Sequence, residues 1–308
     1  MKSCQRKRSK KNLTFSYAVR SFVGFLEGTQ KAAQSVKSYR SDLNGFQSFL
    51  EKGLGKRPVS LASVTLDDLR RYSDSLRAQG LKINTRRRKL LTVRRLLKYL
   101  TQRKQLSVDL GKRLPAPHKM ERVPIVVKTS ELLRAIRDLP RDGTLRLRNQ
   151  TLLWILAESG CLVSELPKIK FSDCCVKQGR HQITVNGKSA REIPISAGLF
   201  ETIQKLRSET QGSAGGSDSY LFHGFNKFGS LGTPITPRGI ELLVKAHAPA
   251  LGLDELTPRT FRHSAVLMWF ELGKTREDIQ KLLGLKTAYA FRAYEPLLKS
   301  IASSTSTS

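Results

Sequence analysis

The stretch TPRTFRHSAVLMWFELGKTREDIQKLLGLKTAYAFRAY, residues 257–294, decides how the rest of the chain is read. Its rhythm is helical. Phe261, Ala265, Met268 and Leu272 recur at three- and four-residue steps, and Ile279, Leu282 and Leu283 resume after Gly273. Two helices are therefore expected to meet near Gly273. Pro258 suits a first helical position, because its fixed φ and missing N–H cost nothing there, with Thr257 as N-cap. Arg259, Arg262 and His263 are then expected to point outward from the first turns. Gly284 ends the second helix, and a short segment carries Tyr289 and Tyr294.

The 308 residues carry 55 Lys and Arg against 25 Asp and Glu, a formal net charge of +30. Residues 1–120 alone hold 29 Lys and Arg against 7 Asp and Glu. Such a field meets a polyanion or is dispersed by solvent, and nucleic acid is the polyanion that fits best. RNA binding ranks below DNA, because the basic helices lack the aromatic stacking platforms of common RNA modules. The start, MKSCQRKRSKK, is basic without the apolar segment of a secretory signal, and no run approaches a membrane span. A cytoplasmic, nucleoid-associated protein is expected. Cys4, Cys161, Cys174 and Cys175 show no metal-ligand spacing, so no metal is expected.

Residues 1–12 read as a disordered basic arm. Four amphipathic helices follow in 13–104: residues 14–26, residues 32–50, one started by Thr65 with Asp67 and Asp68 in its first turn, and one capped by Asn84. The fourth places Leu90, Val93, Leu97 and Leu100 on one stripe and a run of cations largely off it. Arg86, Arg87, Arg88, Arg94, Arg95 and Lys98 are the candidate DNA-binding residues, since few acids lie near enough to pair with them. Residues 105–124, with three prolines and little periodicity, read as an interdomain linker.

The second domain is expected over 125–308. Thr129 is expected to cap its first helix, and the apolar run 148–158 to be central to its core. Residues 182–185 and 191–195 read as paired strands joined by a two-residue Asn186-Gly187 turn, with Lys188 at the tip. Residues 211–219 read as a Gly/Ser-rich loop, and Thr236 opens another helix.

These motifs together resemble the tyrosine recombinases, or phage-type integrases. In that family a Thr-Pro-His-x-Leu-Arg-His box precedes Leu-Leu-Gly-His and, at fixed spacing, a nucleophilic tyrosine. Here the box reads TPRTFRH (257–263), the second motif LLGL (282–285), and Tyr294 falls in register. SGCLVSEL (159–166) matches the family's Thr-Gly-Leu-Arg-Val-Ser-Glu-Leu box at most positions, and Gly187-Lys188 its hairpin lysine. The resemblance implies a mainly α fold with a small antiparallel β-sheet, a helical SAM-like core-binding domain plus a recombinase-type catalytic domain. It also implies double-stranded DNA as partner, and homo-oligomers up to a tetramer, or hetero-oligomers, on that DNA.

The chemistry implied is cleavage through a 3′-phosphotyrosine, without metal or cofactor. Carried over residue by residue, Tyr294 is the nucleophile, Arg262 the second arginine, Lys188 the general acid and Glu165 an acidic brace. Three positions depart: Leu162 replaces the first arginine, Arg259 the box histidine, and Leu285 the later histidine or tryptophan. Arg259 still donates to phosphate, whereas Leu162 and Leu285 donate nothing. A DNA-binding or architectural homologue with impaired catalysis is therefore the alternative to an active recombinase.

Overall fold

The computed structural model describes residues 13–29, 31–55, 58–120, 124–210, 219–225, 231–253, 256–287, 291–296 and 298. The expected arm at 1–12, most of the 211–219 loop, Tyr289 and the Ser/Thr tail lie outside the described residues. The described residues divide into two compact units between residues 121 and 122.

The first unit is built from α1 (Phe15–Gly28), α2 (Ala33–Leu54), α3 (Leu66–Ala78) and α4 (Ile83–Gln102). Each buries the stripe its periodicity marks out. Phe15, Val19 and Phe22 of α1 meet Leu43 and Phe46 of α2, Leu69 and Tyr72 of α3, and Leu90, Val93 and Leu97 of α4 in one core. Phe46 is its aromatic hinge, edge-on to Phe15 at 5.5 Å and tilted against Tyr72 at 4.7 Å. Thr65 caps α3 as its sequence requires: its hydroxyl accepts from the Asp68 N–H while the Asp68 carboxylate accepts from the Thr65 N–H.

Asn84 does not cap α4. The helix begins at Ile83, and the Asn84 amide instead exchanges two hydrogen bonds with the Met120 backbone. Much of the expected linker is likewise folded onto this unit. A 3₁₀ turn, Leu110–Arg113, lies along α4, and Leu114 is fully buried. Three prolines exclude a helix there, yet they do not exclude a strap whose carbonyls are held by arginines. Leu114→Ala is expected to lower the unfolding free energy of this unit by about 2–4 kcal/mol, read by urea unfolding.

The second unit is organised around α6 (Thr144–Ser159), which is buried on all sides from Leu147 to Ser159 apart from half-buried Asn149. α5 (Thr129–Arg137), α7 (Ala197–Thr210) and α9 (Pro258–Glu271) pack around it. Polar groups fix their ends. The Gln150 amide donates to the carbonyls of Ile136 and Arg137, and Glu158 accepts from the Trp154 ring N–H and from the Ser196 N–H and hydroxyl. Thr129 is not the expected cap. Its hydroxyl donates to the Ser264 carbonyl, tying α5 to α9.

Three antiparallel strands, β1 (Cys174–Lys177), β2 (Arg180–Val185) and β3 (Arg191–Pro194), form one sheet in the order β1-β2-β3. β1 was not foreseen. The β2–β3 connection is not the expected two-residue turn either. Val185 pairs with Arg191, leaving residues 186–190 as the loop. A second small sheet pairs β4 (His223–Phe225) with β5 (Leu231–Pro234) ahead of α8 (Pro237–His247). α10 (Arg276–Leu282) follows α9, and a 3₁₀ turn, Arg292–Tyr294, ends with the tyrosine. No described helix is long and apolar enough to cross a membrane.

Candidate functional site

Thr257 accepts from the Thr260 N–H and Pro258 takes the first position, so α9 begins where the sequence places it. Its first turns behave differently from expectation. Arg259 is exposed, but Arg262 and His263 are each only 7% accessible. The reason is that Arg262 has acceptors inside. Its Nη1 donates to the Gly160 carbonyl at 2.7 Å and its Nη2 to the Leu283 carbonyl at 2.8 Å. Those oxygens belong to the C-terminal ends of α6 and α10, where unpaired carbonyls concentrate negative partial charge.

Gly160 closes α6 at φ +55, and a Cβ there would sit 3.2 Å from the Ala265 Cβ of α9.

A cleft of about 700 Å³ opens beside this junction. Arg259, Arg262, His263 and Tyr294 line it with Leu162, Val163, Leu256, Lys245 and Glu241. The Tyr294 ring stands edge-on to His263 at 5.4 Å and tilted on Phe291 at 5.6 Å. Its hydroxyl has no hydrogen-bond partner among the described residues. His263 accepts from Arg259 Nε at 3.4 Å. Burial, then the neighbouring Arg259 charge, pushes its pKa down from 6.5 to about 4, so the ring is neutral at pH 7.

Glu165 sits outside the cleft lining and is held by Arg191, a residue that periodicity alone did not single out. Arg191 Nη1 and Nη2 grip the two Glu165 oxygens at 2.8 and 2.9 Å, and its Nε donates to the Leu282 carbonyl. Both side chains are sequestered, Arg191 at 5% and Glu165 at 15%. Burial works to raise the Glu165 pKa, but the Arg191 hydrogen bonds and the Leu162 N–H together hold it below the usual carboxylate range. One signal was available: Arg191 shares a strand face with buried Ile193, and a cation on a buried face requires an acid.

Lys188 is exposed in the 186–190 loop and is not among the described cleft-lining residues. The loop is nevertheless pinned. A Cβ on Gly284, at φ +65, would lie 2.9 Å from the Ser189 Cβ, so the loop rests directly on the residue that follows the Leu283 carbonyl. Leu162 is 44% exposed and lines the cleft, while half-buried Leu285 packs on the core instead. Leu298 is buried in this unit's own core.

The cations of α4 separate into two rows. Arg87 donates to the Pro117 carbonyl and Arg94 to the Leu114 carbonyl, so these two hold the 110–120 strap. Arg88, Arg95 and Lys98 are exposed, and Arg86 is half-buried. An acid pairs with this row after all: Asp42, 1% accessible, takes Arg88 and Lys89. Arg95 lies over the Tyr39 ring at 5.3 Å.

A helical unit, followed along the chain by one whose cleft is lined by a buried arginine and an equally buried tyrosine, defines a recombinase-type architecture, and the comparisons agree. Residues 127–299 match the phage integrase family and residues 19–104 the phage integrase N-terminal SAM-like domain. The chain belongs to the phage integrase family, the tyrosine recombinases. It is 29% identical over 258 residues to the tyrosine recombinase XerC of Herpetosiphon aurantiacus, covering 81% of this chain and 80% of the relative. XerC of Roseiflexus castenholzii is 28% identical over 261 residues, with 82% and 80% covered.

Among solved structures, XerH bound to palindromic difH in a post-cleavage complex superposes with a TM-score of 0.71 at 18% identity, covering 96% of this chain and 84% of that one. A lambda integrase dimer bound to a COC′ core site gives 0.65 at 16%, covering 94% and 79%.

Glu165→Ala strands the buried Arg191 charge and is expected to destabilise the second unit by about 3–5 kcal/mol, measured by chemical unfolding; Glu165→Gln is expected to be milder. The His263 ring stays neutral when folded but takes a proton near 6.5 when unfolded, so stability falls as pH drops from 6.5 towards 4. Between pH 7 and pH 5 that single group removes about 2 kcal/mol. Unfolding curves of His263→Asn are expected to lack that share of the pH dependence.

Proposed function

We propose that this chain is a site-specific recombinase that breaks and rejoins double-stranded DNA through Tyr294, working as an oligomer on its site. The observation that carries the reading is Tyr294 in one cleft with Arg259 and Arg262, its hydroxyl unengaged among the described residues. The Tyr294 oxygen forms a bond to phosphorus and the bond from phosphorus to the 5′-oxygen breaks. The phenol gives up one proton and the departing 5′-oxygen gains one. The bond energy is kept in a 3′-phosphotyrosine, so the step reverses on another strand without an energy source.

Arg262 faces the negative charge that concentrates on the transition-state oxygens. Its two backbone carbonyls preorganise the guanidinium at no reorganisation cost during reaction. Lys188 is the proposed proton donor to the 5′-oxygen, and Glu165 the brace that holds Arg191 and so the hairpin loop. The exposed row Arg88, Arg95 and Lys98, with Arg86, supplies phosphate contacts in the first unit, whereas Arg87 and Arg94 act by holding the strap. The XerC relatives and the DNA-bound neighbours support this reading.

A specific observation also favours a second reading, a DNA-binding homologue that cleaves slowly or never. Leu162 presents an apolar side chain to the cleft beside Val163 and Leu256, where a donor to phosphate would speed the reaction by about 10²- to 10³-fold.

Wild-type protein incubated with a pool of nicked duplexes of randomised sequence is expected to yield a detergent-stable covalent adduct that Tyr294→Phe abolishes. Binding should weaken steeply with salt, equally in both proteins. Salt-steep binding without any adduct selects the second reading, and absence of DNA binding sinks both.

A further inference from the structure

We infer that Arg88 is a specificity-determining residue that reads a guanine through the major groove of bound duplex DNA, and that the buried carboxylate of Asp42 is the positioning residue that aims it. The inference deepens the proposed function: it rests on duplex DNA as the partner of the first unit and refines the part played by one member of the exposed cation row. A phosphate is met by any cation that reaches it, because the attraction is not directional. A base edge is met only by donors held at a set spacing and angle. The two tasks therefore call for differently held side chains.

Along the seam between α2 and α4, successive turns of α2 bring Tyr39, Asp42 and Gly45 against Arg95, Arg88 and Lys89. Of these cations, Arg88 is the one held as a base reader has to be. Arg95 lies over the Tyr39 ring at 5.3 Å, a contact that leaves its charge whole and its fork free to turn. Lys89 is a point charge, 21% accessible and 3.5 Å from the Asp42 carboxylate.

Arg88 combines a fixed end with a free one. Its Nη1 donates to Asp42 Oδ2, and Asp42 is only 1% accessible, with the buried Thr92 hydroxyl 3.3 Å from the same oxygen. A carboxylate so enclosed cannot follow a moving partner, so it fixes the plane of the guanidinium. Nε and Nη2 make no hydrogen bond among the described residues, and half of the side chain is exposed. Those two nitrogens form one complete edge of the planar fork, the edge that suits the paired O6 and N7 acceptors of guanine. Charge argues the same way. Asp42 offsets the positive charge of Arg88, which weakens its pull on phosphate but leaves its remaining donors intact.

The test mixes the full-length chain with a pool of intact randomised duplexes and sequences the bound fraction at several salt concentrations. Arg88→Gln is expected to lose a guanine preference of about 5- to 150-fold at one position of the selected site, with the other positions unchanged. Arg95→Gln is expected to weaken binding to all sequences alike and to lower the salt slope by about one, with the base profile unchanged. Asp42→Asn frees Arg88, so the guanine preference is expected to fall while affinity for unselected DNA holds or rises. A role for Asp42 in packing alone would lower the melting temperature and leave the preference intact. Where Asp42→Asn does not fold, Arg88→Gln decides the base reading, since Arg88 is half exposed.

Uniform weakening of all sequences by Arg88→Gln overturns the assignment, makes Arg88 a phosphate contact and leaves the proposed function standing. A guanine preference that survives in folded Asp42→Asn overturns the positioning role. Absence of DNA binding by the wild-type chain overturns the proposed function and this inference together.

Discussion

Two adjacent carbonyl oxygens at the end of α10 hold the second unit's site together. Leu282 accepts from Arg191 and Leu283 from Arg262, and both arginines are buried. Each guanidinium then reaches a different part of the fold. Arg191 clamps Glu165 and the Ser189 carbonyl of the hairpin loop; Arg262 reaches the Gly160 carbonyl at the end of α6. Planar, permanently charged forks suit this work because they satisfy several helix-end acceptors at fixed angles. The cleft is therefore framed by charges whose positions the fold itself sets.

That frame also accounts for the glycines at its corners. Gly160 and Gly284 sit at positive φ where helices end, and both have a neighbouring side chain within 3.2 Å of the place a Cβ would occupy. At Gly284 the neighbour is the hairpin loop. Chain reversal and close approach are required at the same point, so any other residue would have to strain the backbone and displace Ser189 or Arg191.

The first unit uses cations differently. α4 carries two rows on adjacent faces, one engaged by backbone carbonyls and one open to solvent. Arg87 and Arg94 convert a proline-rich segment into a packed strap by satisfying its carbonyls, with Leu114 seated in the helical core. Asp42 keeps Arg88 and Lys89 oriented from a buried position. A high positive charge on a helix thus divides between holding the fold and facing solvent, and only side-chain partners tell the two apart.

The sequence by itself determined the helices, because apolar periodicity and capping residues act within a few residues of one another: Thr65 with Asp68, Thr257 with Pro258, Thr236 with Pro237. It also placed Tyr294 at a legible spacing from Arg262, and that register led to the recombinase architecture that the fold and family comparison bear out. Only the tertiary structure decided where the charges go. Arg262 turns inward because carbonyls from the ends of α6 and α10 come to meet it, and those partners are as much as 102 residues away. The same holds for Asn84, Thr129 and Arg191, whose side chains found partners in distant segments rather than in their own turns. Local chemistry specifies elements; long-range acceptors specify which cation is buried, which is presented, and therefore what the cleft contains.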